Sequence, residues 1–428
     1  MKPIKVGLFG LGTVGTGVVR ILERHREDLE SQVGSPLLID KILVRDTAKE
    51  RSVRVAADLL TDNPRDILDD PDIDIVVEVM GGTDSARSYI LEALAKGKQV
   101  VTANKDLMAL HGPEILAKAS ESGCDVLYEA SVAGGIPILR TIVDGFSSDR
   151  IRKIMGIVNG TTNYILTKMS EDGASYASAL REAQELGYAE ADPRSDVEGM
   201  DAAYKMAILA TLGFRTRVSM RDIDVQGISR VTAEDILYGK RLGYEMKLLG
   251  IAECQDGLVS VSVQPTMVKK SHPLASVKGV FNAVYVYGEA VGETMFYGPG
   301  AGELPTATSV VSDLVAVAKN LRLGVSGRKA FHPYRETRRK SDEQITSKYF
   351  LLLHVDDRAG VLANIARVFS DCDVSLESVL QQPNEHNPNA EIIIITHDAS
   401  KASIRRVLDE FQKLDVVKQV RSVYRVEG

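Results

Sequence analysis

Asp201 and Lys205 stand four residues apart in a stretch that reads as helix. That spacing stacks the two side chains on one face, where a carboxylate can orient a lysine ammonium and tune its charge. Upstream lie Gly187, Glu190, Asp192, Pro193, Asp196 and Gly199, a turn-rich acidic run able to grip a cationic group. Taken alone, the pair also fits an ordinary i,i+4 salt bridge on a solvated helix. A second motif narrows the chemistry. Ile4 to Phe9 is a short apolar run, and Gly10-Leu11-Gly12-Thr13-Val14-Gly15 follows it directly. Val14, Val18, Val19, Ile21 and Leu22 then supply an apolar helix face. Strand, glycine turn and helix in that order form a dinucleotide grip: Gly10 permits the tight turn, Gly12 admits a pyrophosphate, and Gly15 lets helix pack on strand. The phosphates would sit among the free N–H groups of the helix start.

The elements around these residues are those of a parallel α/β sheet. Leu37 to Arg45 reads as the second strand. Arg45 at its end, with Arg51 and Arg54 behind, favours NADP, although the adjacent Asp46 keeps NAD open. Ile73 to Val79 is a further strand ending in Met80-Gly81-Gly82-Thr83, residues 84–96 read as helix, and Gln99 to Lys105 is the next strand and its exit. Repeated β–α units place ligands at the carboxyl ends of strands, where Gly82 and Lys105 fall. Val126 to Pro137 reads as a strand that breaks into a small-residue loop, with Glu129 within it. After Arg150 the texture becomes α+β with a largely antiparallel sheet, and Asn159-Gly-Thr-Thr-Asn163 has N-cap chemistry. Tyr297 to Thr306 is another glycine-rich turn, containing Gly302, before a helix expected to start near Thr306.

The segment Ala183 to Lys205 closely resembles the signature of homoserine dehydrogenase. Ala183, Gly187, Tyr188, Ala189, Asp192, Pro193, Asp196, Val197, Gly199, Asp201 and Lys205 all fall on its pattern. The resemblance spans the chain and implies interconversion of L-homoserine and L-aspartate 4-semialdehyde, in threonine, methionine and isoleucine biosynthesis. The nicotinamide carries the hydride while the protein positions two carbons and manages the hydroxyl proton. Lys205 is the candidate for that proton, with Lys105, which follows Thr-Ala-Asn as in the family, as a second cation; which of the two carries it stays open. Asp201 would hold the substrate or orient Lys205, Glu190 would pair with the substrate ammonium, and Asp196 completes the substrate set. Gly187 and Gly302 join Gly10, Leu11, Gly12, Thr13, Val14, Gly15, Arg45, Gly82 and Lys105 on the cofactor side. The resemblance further implies a sodium ion held by Glu129 and the carbonyls of Val132, Gly134 and Ile136; a satisfied Glu beside a glycine turn is the simpler alternative.

Residues 331–348 are polar and read as a linker. The order βαββαβ over 349–428 is ferredoxin-like, and Asp357-Arg-Ala-Gly360-Val-Leu362 after its first strand resembles the ACT domain, a regulatory fold. That implies threonine as feedback effector, with a ligand-free dimerisation module as the alternative. The expected division is 1–135 for the Rossmann-type nucleotide domain, 136–330 for the catalytic and dimerisation domain, and then linker and ACT domain.

Composition bounds the partners. With 428 residues, 44% apolar and 26% charged, the chain is a soluble multidomain protein. Its net charge of −7 gives no reason to expect nucleic acid or an anionic membrane. Cys124, Cys254 and Cys372 are far apart, which points to a reducing cytoplasm; a form without a leader or a preceding kinase domain is the expectation. A homodimer or homotetramer is implied by the resemblance. A semialdehyde dehydrogenase would need a nucleophilic cysteine paired with histidine, a setting neither Cys124 nor Cys254 has. A non-catalytic NADP-binding amino-acid sensor is the alternative from another class, but it has no use for the Asp201–Lys205 helix. A structural scaffold would leave three glycine turns unexplained.

Overall fold

The structure is a computed structural model that describes residues 2–327, 333, 335–383 and 389–428. The chain divides into two compact units: residues 1–154, 204–221 and 281–336, and residues 155–203, 222–280 and 337–428.

The first unit is built on a six-stranded parallel sheet of β1 (Ile4–Phe9), β2 (Leu37–Leu43), β3 (Leu60–Thr61), β4 (Ile75–Glu78), β5 (Gln99–Thr102) and β6 (Val126–Leu127). Their spatial order is β3-β2-β1-β4-β5-β6, the doubly wound order whose chain reversal opens a crevice beyond the carboxyl ends of β1 and β4. Every residue of β4 and β5 is buried, as strands covered on both faces must be, hence their runs of Ile and Val. Val18, Val19 and Leu22 of the helix Thr13–Arg24 share one core with Val6, Leu8, Ile75 and Val77. Ala307, Val310, Val311 and Leu314 of the helix Glu303–Leu323 join it. Gly17 is the contact that admits this second helix, since a Cβ there would lie 2.6 Å from the carbonyl oxygen of Glu303. The Glu303 helix begins three residues before the expected Thr306, because Pro305 is tolerated in a first turn, where its missing N–H has no partner to lose. β2 ends at Leu43, leaving Arg45 in the exit loop, and β4 is trimmed to four residues.

In the second unit, Tyr244–Gln255 and Leu258–Lys269 form a long antiparallel hairpin. Asp256 and Gly257 close it with φ of +49° and +76°, the positive dihedrals that a two-residue primed turn requires. The C-terminal module has Thr346–Asp356 between Asn389–Thr396 and Val417–Glu427, with Leu376–Pro383 outermost, all antiparallel. The helices Val361–Asp371 and Lys401–Phe411 supply Val361, Ile365, Phe369, Ile404, Val407 and Phe411 to its core. The βαββαβ expectation holds.

The attachment of that module differs from a simple tether. Thr266, Met267 and Val268 of the hairpin pair in parallel with Arg425, Val426 and Glu427, so hairpin and module share one sheet. Buried Arg425 donates to Glu253 of the hairpin at 2.9 Å, and fully buried Asp235 accepts from the Tyr424 hydroxyl at 2.9 Å. Part of the expected linker, residues 331, 332 and 334, lies outside the described residues. The rest is not a bare tether: Arg338–Arg339 pair with Leu258–Val259, and the module's first strand begins at Thr346. Among the described residues no helix is long and apolar enough to cross a membrane.

Candidate active site

The glycine turn has the geometry its sequence requires. Gly10 has φ of +106°, and any Cβ there would press within 3.0 Å of Val79 and Met80 backbone. Nothing lies within 4 Å of a Cβ on Gly12, so that side of the turn is open. A Cβ on Gly15 would lie 2.2 Å from the carbonyl oxygen of Gly10, so only glycine lets the helix start this close to its own strand. Gly12 caps the helix without a side-chain acceptor, leaving first-turn N–H groups directed at whatever anion approaches. Arg45 is exposed beyond the end of β2. Arg51 instead lies against the turn: its guanidinium donates to the carbonyls of Leu11 (3.4 Å) and Asp46 (2.6 Å). Its buried Nε has no partner.

Across the crevice a buried acid organises the ends of β4 and β5. Glu78 is fully buried; it accepts from the Met80 N–H at 2.9 Å and from the Thr102 hydroxyl at 2.7 Å. Burial pushes this carboxyl above its usual range, opposed by those donors. The Thr102 hydroxyl oxygen accepts from the N–H of Asn104, whose side chain donates to the Gly82 carbonyl at 2.6 Å and accepts from Leu107 N–H, capping the helix Lys105–Ser122. Gly81 and Gly82 have φ of +74° and +77°. Glu78 thus ties the Gly82 turn to the start of the helix that carries Lys105. Lys105 is partly exposed and lies 3.8 Å from Asp106. The role of Glu78 was hidden in sequence, since an acid inside an apolar strand carries no local signal of what it binds.

The small-residue loop after β6 belongs to the same unit. Buried Glu129 accepts from the N–H groups of Leu139 (2.7 Å) and Arg140 (2.8 Å), one on each oxygen. Its own N–H donates to Asp313, which also holds the Arg140 guanidinium at 2.6 Å. Burial raises the Glu129 carboxyl, and pushes the Asp313 carboxyl up to about 7. Ala133 and Gly134 both take positive φ, +54° and +49°. The Gly134 carbonyl accepts from the Ser309 hydroxyl and the Ile136 carbonyl from Ile138 N–H. Each of these two carbonyls retains a lone pair.

In the second unit, Asn159 ends the approach to the helix Gly160–Asp172 and caps it, accepting from Thr162 N–H at 2.9 Å. Its amide nitrogen donates to Asp196 Oδ1 (2.7 Å) and Asp201 Oδ2 (2.8 Å). One side chain therefore gathers two of the acids singled out from sequence. Asp201 is buried and Asp196 half-buried, while Glu190 is exposed. Gly187 (φ +75°) and Gly199 (φ +85°) take left-handed conformations that turn the chain between these acids. Asp201 lies in the first turn of the helix Met200–Phe214; half-buried Lys205, one turn later in that helix, belongs to the first unit. The sequence shows Asn159 as a helix cap at the start of a family-like segment, not as the residue that gathers the acids; that an Asn cap has an amide to spare is the available signal.

Comparison with known proteins bears on what this arrangement does. Residues 137–315 match the family described as Homoserine dehydrogenase, residues 10–129 its NAD binding domain, and residues 349–416 the ACT domain. The homoserine dehydrogenase of Bacillus subtilis is 57% identical over 429 residues, covering 100% of this chain and 99% of its own. A crystal structure of a homoserine dehydrogenase from Thiobacillus denitrificans aligns with a TM-score of 0.95 at 41% identity, covering 100% of this chain and 99% of that one. A hyperthermophilic archaeal homoserine dehydrogenase in complex with NADPH aligns with a TM-score of 0.63 at 27% identity, covering 74% of this chain and 98% of that one.

Proposed function

The chain belongs to the homoserine dehydrogenase family, NAD(P)-dependent oxidoreductases that interconvert L-homoserine and L-aspartate 4-semialdehyde, and we propose how its own residues divide that work. The observation that carries the proposal is the Asn159 amide, which holds Asp196 and Asp201 together one turn ahead of Lys205. Asp196 and Asp201 hold the substrate's polar end, Glu190 pairs with its ammonium, and Lys205 moves the proton at the reacting oxygen. Lys105, the first residue of a helix capped by Asn104, supplies a second positive charge that stabilises the developing alkoxide.

Bound at the glycine turn, the nicotinamide cofactor supplies or accepts the hydride. Gly10, Leu11, Gly12, Thr13, Val14 and Gly15 cradle its pyrophosphate, with Gly82, Gly187 and Gly302 completing the cofactor surface. NADP is preferred over NAD: the unspent Nε of Arg51 beside the turn, with Arg45 in the loop behind it, supports recognition of a 2′-phosphate. The NADPH complex of the archaeal relative supports the same choice.

A sodium ion is held by Glu129 with the carbonyls of Val132, Gly134 and Ile136. The oxygen donor set suits a hard cation, and a buried carboxylate whose ionisation is opposed by burial gains from one. Its role is to fix the loop between β6 and the helical segment that begins at Leu139. The chain divides into a nucleotide domain over 1–135, a catalytic and dimerisation domain over 136–330, and an ACT domain over 349–428. The ACT domain binds threonine near Asp357–Leu362 as feedback effector, and the enzyme works as a homodimer or homotetramer. That Cys124, Cys254 and Cys372 form no disulfide among the described residues supports a reducing cytoplasm. The test is the initial rate of NADPH consumption with L-aspartate 4-semialdehyde, repeated with NADH, with and without sodium, and with threonine. Turnover that prefers NADPH and falls with threonine is expected. Absence of turnover from folded, cofactor-binding protein would favour a sensor instead.

A further inference from the structure

Glu234, His354 and Glu391 bring one ligand atom each to within 4.8 Å of one another, in a part of the second unit that the dehydrogenase chemistry does not use. Glu234 lies in the first turn of the helix Ala233–Arg241, His354 on the strand Thr346–Asp356, and Glu391 on the neighbouring strand Asn389–Thr396. His354 and Glu391 face each other directly across the ladder. Glu391 has only 3% of its side chain exposed and His354 21%. The Tyr238 hydroxyl donates to Glu391 Oε2, which turns the other oxygen, Oε1, toward His354 Nε2.

That last contact is the unusual one. His354 Nε2 is buried, has no hydrogen-bond partner, and stands 3.6 Å from Glu391 Oε1. The gap is too long for a hydrogen bond. Two ligands each about 2.0–2.1 Å from a tetrahedral zinc ion lie ~3.3 Å apart, close to this separation. Glu234 and Glu391 also share a side-chain hydrogen bond, a proton held between two carboxyl groups that a cation can replace. Arg421 is close enough to act on Glu234, and Arg241 lies over the Tyr238 ring. Imidazole with two carboxylates is a borderline donor set that suits a first-row divalent ion better than magnesium or calcium.

We propose that Glu234, His354 and Glu391 form a binding site for a divalent zinc-class ion that fastens the helix Ala233–Arg241 to two strands of the C-terminal module. Three protein ligands leave a fourth position for water. The site lies where the module joins the rest of its unit, so its occupancy stiffens that junction.

The probe is cobalt(II) added to chelator-treated full-length protein, with zinc as competitor. The site predicts the visible d–d absorption of a four-coordinate cobalt, saturating at one ion per chain and abolished by zinc. It also predicts a rise in melting temperature on zinc addition. H354N and E234Q keep polar side chains of similar size, and each should lose the band and the zinc-dependent rise in melting temperature. Metal-free turnover should change less than twofold in both. No saturable band in wild-type protein, or an equal band in wild type and both folded variants, would overturn the proposal. Should one variant fail to fold, the other decides alone.

Discussion

The amide nitrogen of Asn159 lies 2.7 Å from Asp196 Oδ1 and 2.8 Å from Asp201 Oδ2, so a helix-capping residue also holds the two acids together. The same side chain uses its oxygen for the cap and its nitrogen for the acids, and the two functions can be separated by mutation. Asn159→Ser retains a capping oxygen and loses the amide donors that reach Asp196 and Asp201. Hydrogen bonds to charged groups are each worth about 1.5–3 kcal/mol, so kcat should fall at least tenfold while the helix persists. Asn159→Ala removes the cap as well and should cost about 1 kcal/mol more in stability. Thermal melts alongside steady-state rates check both; equal kcat in wild type and the Ser variant would remove Asn159 from the account.

Arg51 should set cofactor choice. Its contact with the Leu11 carbonyl puts it at the glycine turn, whereas Arg45 is exposed behind it. Arg51→Ala is expected to raise KM for NADPH about tenfold, the loss of roughly 1.4 kcal/mol of binding, and to leave KM for NADH nearly unchanged. An equal rise for both cofactors would mean that Arg51 only braces the turn.

Much of this was legible in the sequence, and the reasons are local. The Gly10–Gly15 turn follows from the positive φ of Gly10 and the close approach at Gly15, and the strand and helix around it from their apolar patterns, so they read directly. The βαββαβ tail was readable because each of its elements has its own apolar periodicity. What stayed hidden depends on partners distant in sequence. Glu78 meets Thr102 across the sheet, and Arg425 meets Glu253 across 172 residues; no window of sequence contains either pair. The shared ladder of Thr266–Val268 with Arg425–Glu427 was hidden likewise, which is why a segment read as a linker proves to run beside a continuous sheet. The Asp256-Gly257 turn was different, because its two residue types announce a hairpin and were passed over.

Stability should depend on pH through Lys247. This buried lysine donates to Asn163 Oδ1 at 3.2 Å and to the Val277 carbonyl, and burial pulls its ammonium down to about 8 from an ordinary 10.5. Between those values the unfolded chain holds a proton that the folded chain has released. Unfolding therefore takes up a proton there, and stability rises with pH across the window. The folded state carries a penalty below pH 8 of at most about 3 kcal/mol, which fades by pH 10.5. Denaturant unfolding of wild type and Lys247→Met, taken as a difference at each pH, should show the variant gaining most near pH 7 and losing that advantage toward pH 10.5. A difference independent of pH would mean that Lys247 is charged at the same pH in both states.

The central claim is that Lys205, one turn beyond the clamped Asp201, moves the proton. The most direct measurement is kcat and KM of Lys205→Ala for L-aspartate 4-semialdehyde with saturating NADPH. A positioned acid or base contributes about 10²- to 10⁴-fold, so kcat should fall within that range with KM changed less than threefold. A rise in KM with kcat preserved would make Lys205 a binding group and return the proton to Lys105 or solvent.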